Sequence, residues 1–185
     1  MTNLEDSNLW NLNTFEKYCT KKGIDYNKIM EKIEDIFIKM IFSVRKKLIK
    51  EIKEYKLHST NFYHLIGIDI LFDENLKPYL LEANRRGSVR QGNLAEDEYS
   101  HNLIADTINL VGLRIFNRED NTIYGDTKYE SYDEEILADS LCELDRPRGG
   151  YKLIFPLKKN IEKYKKFYLS DIPIEDKQLW HRLIE

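Results

Sequence analysis

The feature that most constrains the fold is a long run of apolar residues spaced three or four positions apart. The run begins at Ile29 and ends at Ile52. Residues at this spacing lie on one face of an α-helix, so the pattern predicts a single amphipathic helix over about residues 26–55. Because lysine and arginine side chains cover the opposite face, the apolar stripe is predicted to pack into a core rather than to form a binding surface.

The rest of the chain alternates short helices and strands. One helix is predicted over residues 13–23, with Asn13 or Thr14 as its N-cap and Gly23 as its stop. Further helices are predicted at residues 97–111, 134–143, 158–169 and 173–185. Strands are predicted at residues 62–73, 77–84 and 151–156, and an extended loop at residues 113–132. The predicted class is therefore α+β, a small antiparallel sheet packed by helices.

Composition narrows the functional classes. The chain has 185 residues, 42% of them hydrophobic, with a net charge of −3. One globular domain is expected, and the near-neutral charge argues against a nucleic-acid partner. No apolar run is long enough to span a membrane, and the polar residues 1–13 do not resemble a signal peptide. Two cysteines are too few for a disulfide framework, so a cytoplasmic location is expected.

Two of the predicted strands carry polar side chains at unexpected places. The stretch GIDILFDENLKPYLLEAN covers residues 67–84, with a turn signal at DENL. A four-residue loop after Asp73 would set Asp69 directly opposite Glu82, and directly opposed residues share a face of the sheet. Asn84 follows Glu82 by two positions and shares that face too. This register predicts that three oxygen-bearing side chains converge.

Such a cluster needs compensating charge. Two carboxylates on adjacent half-buried strands repel each other and lose hydration, so a positive partner is expected between them. A shared proton, a lysine or arginine, and a hard cation are all candidates. Two carboxylates and an amide without histidine or cysteine suit magnesium better than zinc. The alternative is a salt-bridged sheet face that uses Arg85 or Arg86.

This hairpin resembles the metal-binding hairpin of the tubulin–tyrosine ligase and tubulin polyglutamylase family, whose catalytic domain is an ATP-grasp fold. Three further stretches resemble the family in the same order: IMEKIEDIFIKMI, HNLIADTINLVGL, and ELDRPRGGYKLIFP with the later YKKFY. The four blocks cover about residues 9–168. The resemblance implies the C-terminal portion of an ATP-grasp domain over residues 1–170, followed by a C-terminal helix over residues 171–185.

The resemblance also implies site residues. Asp69 and Glu82 match the catalytic and metal-binding carboxylates of the family hairpin. Asn84 matches its metal- and nucleotide-binding asparagine. Thr2 and Asn3 match a Thr-Asn pair near the nucleotide.

The implied function is that of an ATP- and magnesium-dependent ligase. In this family the γ-phosphate of ATP passes to a carboxylate, and an amine attacks the resulting acylphosphate. Tyrosine, glutamate or glycine would be added to the acidic tail of tubulin or of a similar protein. The implied location is cytoplasmic and microtubule-associated, with no nucleic-acid or membrane partner.

The chain departs from the family pattern in three places. Arg85 and Arg86 stand where the family has a small residue followed by Ser and Pro, and Ser100 stands where it often has lysine. The arginines would bind a phosphate or an acidic peptide. Residues 1–60 contain one glycine, Gly23, and cannot supply the phosphate-covering loop of the other lobe. We therefore expect completion by an N-terminal lobe, in cis or in trans; the alternative is an inactive descendant or fragment that binds acidic tails.

Overall fold

The computed structural model describes residues 10–55, 63–85, 94–112, 116–117, 122–123, 138 and 141–168. The chain divides into two compact units. The first comprises Met1–Ile41 and Ile68–Asn84, and the second comprises Phe42–Gly67 and Arg85–Glu185. Helices are combined with two-stranded sheets, which agrees with the predicted α+β class. No helix in the described ranges is long and apolar enough to cross a membrane.

The first helix, α1, spans Leu12–Lys21. Its N-cap is Asn11, whose side-chain oxygen accepts a hydrogen bond from the backbone N–H of Thr14 at 2.8 Å. The predicted cap at Asn13 or Thr14 is therefore wrong. An N-cap side chain accepts a hydrogen bond from the N–H three residues later, and for the Thr14 N–H that residue is Asn11. At the other end Gly23 has φ +69° and stops the helix as predicted.

The long helix, α2, spans Tyr26–Glu54 and confirms the predicted helix. Ile29 of the predicted stripe is buried, and so is Ile38, which lies on the other side of the helix. Farther along, however, Val44 is 45% and Leu48 is 54% exposed. The predicted packing of the whole stripe into a core is therefore wrong for these two side chains.

Aromatic side chains hold the first unit together. Strand β1 spans Gly67–Phe72 and strand β2 spans Pro78–Asn84. The ring of Phe15 on α1 lies 5.9 Å, between centroids, from the ring of Tyr26 and also 5.9 Å from the ring of Phe72. These contacts attach the β1–β2 hairpin to α1, because aromatic pairs at this separation pack favourably.

The second unit contains a helix and a short hairpin. Helix α3 spans Leu94–Val111 and begins three residues before its predicted start. Residues 113–132, predicted as a loop, contain strands β3 (Phe116–Asn117) and β4 (Thr122–Ile123), so that prediction is wrong in part. The two strands pair antiparallel, with Phe116 opposite Ile123 and Asn117 opposite Thr122. Two-residue strands are too short to produce a period-2 pattern in the sequence.

A second aromatic cluster forms the core of this unit. Helix α4 spans Ile161–Tyr168, inside its predicted range, and its Ile161 and Tyr164 side chains are buried. The ring of Phe42 lies 5.2 Å from that of Phe155 and 6.1 Å from that of Tyr164. Residues 141–145 are helical and overlap the predicted helix at 134–143. The predicted helix at residues 173–185 lies outside the described residues.

Residues 151–156, predicted as a strand, form no regular secondary structure. Their polar groups pair with a helix and with their own turn instead of with a neighbouring strand. The Tyr151 hydroxyl lies 2.7 Å from the Thr107 hydroxyl, and the Ile154 carbonyl accepts from the Asn160 amide at 2.7 Å. An alternating apolar sequence needs a partner strand to form a ladder, and none lies alongside within the described part of the chain.

The segment at residues 146–151 is fastened to the C-terminal half of α3, and we call it the clamp. The Arg146 guanidinium donates to the carbonyls of Leu110 at 3.1 Å and Val111 at 2.7 Å. These are among the carbonyls that a helix C-terminus leaves without an intrahelical donor. The backbone N–H of Gly150 donates to the Asp106 carboxylate at 2.8 Å.

The clamp predicts different outcomes for its two adjacent glycines. Gly149 has φ +53°, and an added Cβ would lie 2.0 Å from a carboxylate oxygen of Asp106. Gly149→Ala should therefore lower the free energy of unfolding by about 1–2 kcal/mol from the left-handed backbone alone, with the clash in addition. The matched control is Gly150→Ala, whose Cβ would meet its nearest atom at 3.6 Å. Urea denaturation of both variants checks this, and equal stabilities would contradict it.

Candidate functional site

The turn between β1 and β2 is organised by Asp73. Its N–H donates to the Lys77 carbonyl at 3.1 Å, and its carbonyl accepts from the Leu76 N–H at 3.0 Å. Its carboxylate accepts from the N–H groups of Asn75 and Lys77, both at 2.9 Å. Leu76 has φ +55°. The predicted four-residue loop is wrong: three residues, 74–76, lie between Asp73 and its partner, because the left-handed Leu76 reverses the chain one residue sooner.

These contacts favour the charged form of Asp73. The hydrogen bond from the Lys77 backbone is the main cause that lowers the pKa of the Asp73 carboxyl, and bonds from the Asn75 backbone and the Tyr79 hydroxyl add to it. The Tyr79 hydroxyl lies 3.3 Å from the carboxylate, and the Lys77 ammonium lies 4.8 Å from the centroid of the Tyr79 ring. An ionised Asp73 therefore ties the turn to the first residues of β2.

At the other end of the hairpin two of the predicted site residues meet. The Asn84 amide Nδ2 donates to Oδ2 of Asp69 at 3.3 Å. This contact brings the two side chains together on one face, as predicted for that pair. Glu82 precedes Asn84 by two positions in β2. Its place directly opposite Asp69, which was predicted from a four-residue loop, stays a prediction. The Glu82 side chain forms no hydrogen bond or ion pair with any residue that the structure describes.

The burial of these side chains differs from the prediction. Asp69 and Glu82 are exposed, and only Asn84 is half-buried. Water can therefore hydrate both carboxylates, so burial does not force a counter-charge between them. The expectation of two half-buried carboxylates is wrong because β2 is open to solvent over most of its length.

The arginines after the hairpin are only partly described. Arg85 is exposed, and its backbone carbonyl accepts a hydrogen bond from Nε2 of His64. That contact joins residues 21 positions apart, and no local sequence pattern indicates it. Arg86, Thr2 and Asn3 lie outside the described residues.

The chemistry of the donor set fits a hard cation. Asp69, Glu82 and Asn84 offer carboxylate and amide oxygens, the ligand types that magnesium prefers. No group of three or more His, Cys, Asp or Glu side chains suited to a metal occurs in the described ranges. Two carboxylates and one amide would leave most of an octahedral shell to water or to phosphate oxygens, which is the usual state of protein-bound magnesium.

Comparison with known proteins identifies the family. The sequence model of the tubulin-tyrosine ligase family matches residues 1–121, a span that includes α1, α2, the hairpin and α3. The chain belongs to the tubulin-tyrosine ligase family. Membership confirms the family resemblance of the hairpin and of the helices that precede and follow it.

Individual family members match different lengths of the chain. Tubulin monoglutamylase TTLL4 of Mus musculus is 34% identical over 111 residues, which are 60% of this chain and 9% of the relative. Tubulin polyglutamylase ttll-4 of Caenorhabditis briggsae is 30% identical over 143 residues, 77% of this chain and 21% of the relative. Tubulin polyglutamylase TTLL6 of Mus musculus is 29% identical over 178 residues, 85% of this chain and 21% of the relative. The chain thus spans about a tenth to a fifth of the length of these relatives.

The lowered pKa of Asp73 predicts how the hairpin responds to acid. The pKa of Asp73 is lower in the folded state than its ordinary value of 3.8, so the ionised carboxylate stabilises the fold at pH values above 3.8. This stabilisation is lost as the pH falls through the lower pKa of the folded state. Asp73→Ala should therefore melt at a lower temperature than the wild type at pH 7, and the difference should shrink below about pH 4. Glu74→Ala, at the next and exposed position of the turn, is the control. A difference in melting temperature that stays constant from pH 7 to pH 3 would contradict the assignment.

Proposed function

We propose that the chain forms the cation-binding part of an ATP-dependent carboxylate–amine ligase. Its substrate would be an acidic protein tail such as that of tubulin, to which tyrosine, glutamate or glycine is joined. The observation that carries this proposal is the contact between Asp69 and Asn84, with Glu82 two residues away, inside a segment that matches the tubulin-tyrosine ligase family. The relatives that match are named as tubulin monoglutamylases and polyglutamylases, which supports an amino-acid ligation.

The three hairpin residues would each have a different role in binding the cation. Asp69 and Glu82 supply negative charge for magnesium, and Asn84 supplies a neutral oxygen while its Nδ2 holds the Asp69 carboxylate in place. Bound MgATP would supply the phosphoryl group that activates a carboxylate for attack by an amine. Because Asp69 and Glu82 are exposed, a hydrated ion can reach them without any change in the fold.

The arginines that follow the hairpin would bind an anionic group. A guanidinium binds carboxylate or phosphate through two parallel hydrogen bonds, which suits both an acidic tail and a nucleotide. The Arg85 side chain is exposed, and the His64 hydrogen bond fixes its backbone. Arg86 would extend the same basic surface, and Thr2 with Asn3 would contact the nucleotide.

A second lobe would complete the nucleotide site. Phosphoryl transfer depends on groups that neutralise charge on several sides of the phosphate. The hairpin offers acidic ligands for a cation, but residues 1–60 contain a single glycine and no glycine-rich phosphate loop. The basic groups and the backbone N–H donors for the phosphates would therefore come from another polypeptide segment, in cis or in trans.

The metal assignment predicts an effect of a neutral, isosteric change. Glu82→Gln keeps the side-chain shape and removes the charge, so Mn²⁺ affinity in the presence of ATP should fall roughly tenfold or more. Glu74→Gln makes the same change in the turn of the same hairpin and should leave the affinity unchanged. Electron paramagnetic resonance titration of free Mn²⁺ measures both variants. An affinity of Glu82→Gln equal to that of the wild type would remove Glu82 from the site.

The need for a second lobe predicts inactivity of residues 1–185 alone. Incubated with ATP, Mg²⁺ and labelled glutamate, tyrosine or glycine, the chain should not label a glutamate-rich peptide, because the triphosphate is held from one side only. Addition of the N-terminal lobe of a tubulin-tyrosine ligase relative should give ATP-dependent labelling, and Glu82→Gln should abolish it. Robust turnover by the chain alone would contradict the need for the lobe. Turnover by the Glu82→Gln complex equal to that of the wild type would contradict the catalytic role.

A further inference from the structure

The open end of the β1–β2 hairpin is closed by a histidine side chain. His64 lies three residues before β1, and Arg85 directly follows Asn84, the last residue of β2. Nε2 of His64 is hydrogen-bonded to the Arg85 carbonyl, so the segment that enters the hairpin is joined to the segment that leaves it. The Asp73 turn closes one end of the hairpin, and the His64 bond closes the other.

The chemistry of this contact determines what the imidazole can do. A carbonyl oxygen only accepts hydrogen bonds, so Nε2 of His64 is the donor and carries a proton. A protonated ring nitrogen has no lone pair to offer a metal, so Nε2 cannot be a ligand while this bond is formed. The role that remains for this nitrogen is to hold the backbone one residue beyond Asn84.

The contact between Asn84 and Asp69 needs a further restraint. Its Nδ2–Oδ2 distance is 3.3 Å, longer than the range of about 2.7–3.2 Å that is usual for an N–H···O hydrogen bond. Asp69 is exposed, so water competes for its carboxylate and lowers the net stability of the bond. Asn84 is also the last residue of its strand, and strand ends open more readily than strand centres. A second contact at the next residue would therefore decide how often Asn84 faces Asp69.

We infer that His64 is a positioning residue for the candidate cation site. Its hydrogen bond holds the Arg85 carbonyl, and through the peptide bond between residues 84 and 85 it keeps the Asn84 side chain beside Asp69. The amide oxygen of Asn84 is then in place before a cation arrives, so less conformational freedom is lost on binding. The use of this arrangement for a cation rests on the proposed function, whereas the effect of His64 on Asn84 does not.

Two substitutions separate the hydrogen bond from the rest of the imidazole. His64→Leu removes the donor, whereas His64→Gln keeps an amide N–H at a similar distance from the backbone. Both variants lack the aromatic ring, so ring-current effects on NMR signals are lost equally. In metal-free NMR spectra of the full chain, His64→Leu should shift the side-chain amide signals of Asn84, and His64→Gln should leave them close to those of the wild type.

The side-chain amide of Asn75 is the internal control in the same spectra. Asn75 lies in the turn at the other end of the hairpin, so its signals should not move in either variant. Asn84 signals that are the same in His64→Leu and His64→Gln would overturn the inference. A shift of the Asn75 signals in His64→Leu would also overturn it, because His64 would then hold the whole hairpin rather than the site.

The same variants are then titrated with Mn²⁺ in the presence of ATP and followed by electron paramagnetic resonance. His64→Leu should bind Mn²⁺ roughly threefold to tenfold more weakly, the effect of one net hydrogen bond, and His64→Gln should restore most of the affinity. His101→Leu makes the same change at an exposed histidine of α3 and should bind Mn²⁺ as the wild type does. Equal affinities of His64→Leu and the wild type, or equal weakening by His64→Leu and His64→Gln, would overturn the inference.

Failure of the proposed function gives a different result. A wild type that binds no Mn²⁺ with ATP would contradict the cation site itself. The metal-free spectra would then decide by themselves whether His64 holds Asn84 beside Asp69.

Discussion

The Asp73 carboxylate is the constraint on which the candidate site depends. It accepts the N–H groups of Asn75 and Lys77 and so closes the turn that joins the two strands. A change of one residue in a turn shifts every later pairing of a hairpin and moves side chains to the other face. The meeting of Asp69 with Asn84, at the far end of the strands, therefore requires a turn of fixed length. Leu76 in the left-handed region is part of that turn.

Much of the fold follows from the spacing of apolar residues and from the residues that end helices. The extent of α2 and the stop at Gly23 are local features, and both predictions are confirmed. The pairing of Asp69 with Asn84 was predicted for a register that the turn does not adopt. The backbone state of Leu76 is not indicated by any sequence pattern, because leucine rarely adopts positive φ. The length of the loop could therefore not be predicted from the sequence.

Other errors arise where residues distant in sequence decide the structure. The strand predicted at residues 151–156 has the right alternation, but its neighbour is a helix, and Tyr151 pairs with Thr107. The exposure of Asp69 and Glu82 likewise depends on which distant residues lie against β2, and no short stretch of sequence indicates that. For the candidate site, residue type and spacing indicate the ligand set, whereas solvent access and the hydrogen bonds of Asp73 depend on the three-dimensional fold.

The clamp has a consequence for the order in which the chain folds. The last carbonyls of α3 receive their donors from Arg146, which lies 35 and 36 positions farther along the chain than Val111 and Leu110. During synthesis α3 leaves the ribosome well before that arginine, so the carbonyls of Leu110 and Val111 lack these two hydrogen bonds until the later segment follows. The family match ends at residue 121, short of the clamp. A chain cut at residue 121 would keep the hairpin residues and lose the arginine that donates to the last carbonyls of α3.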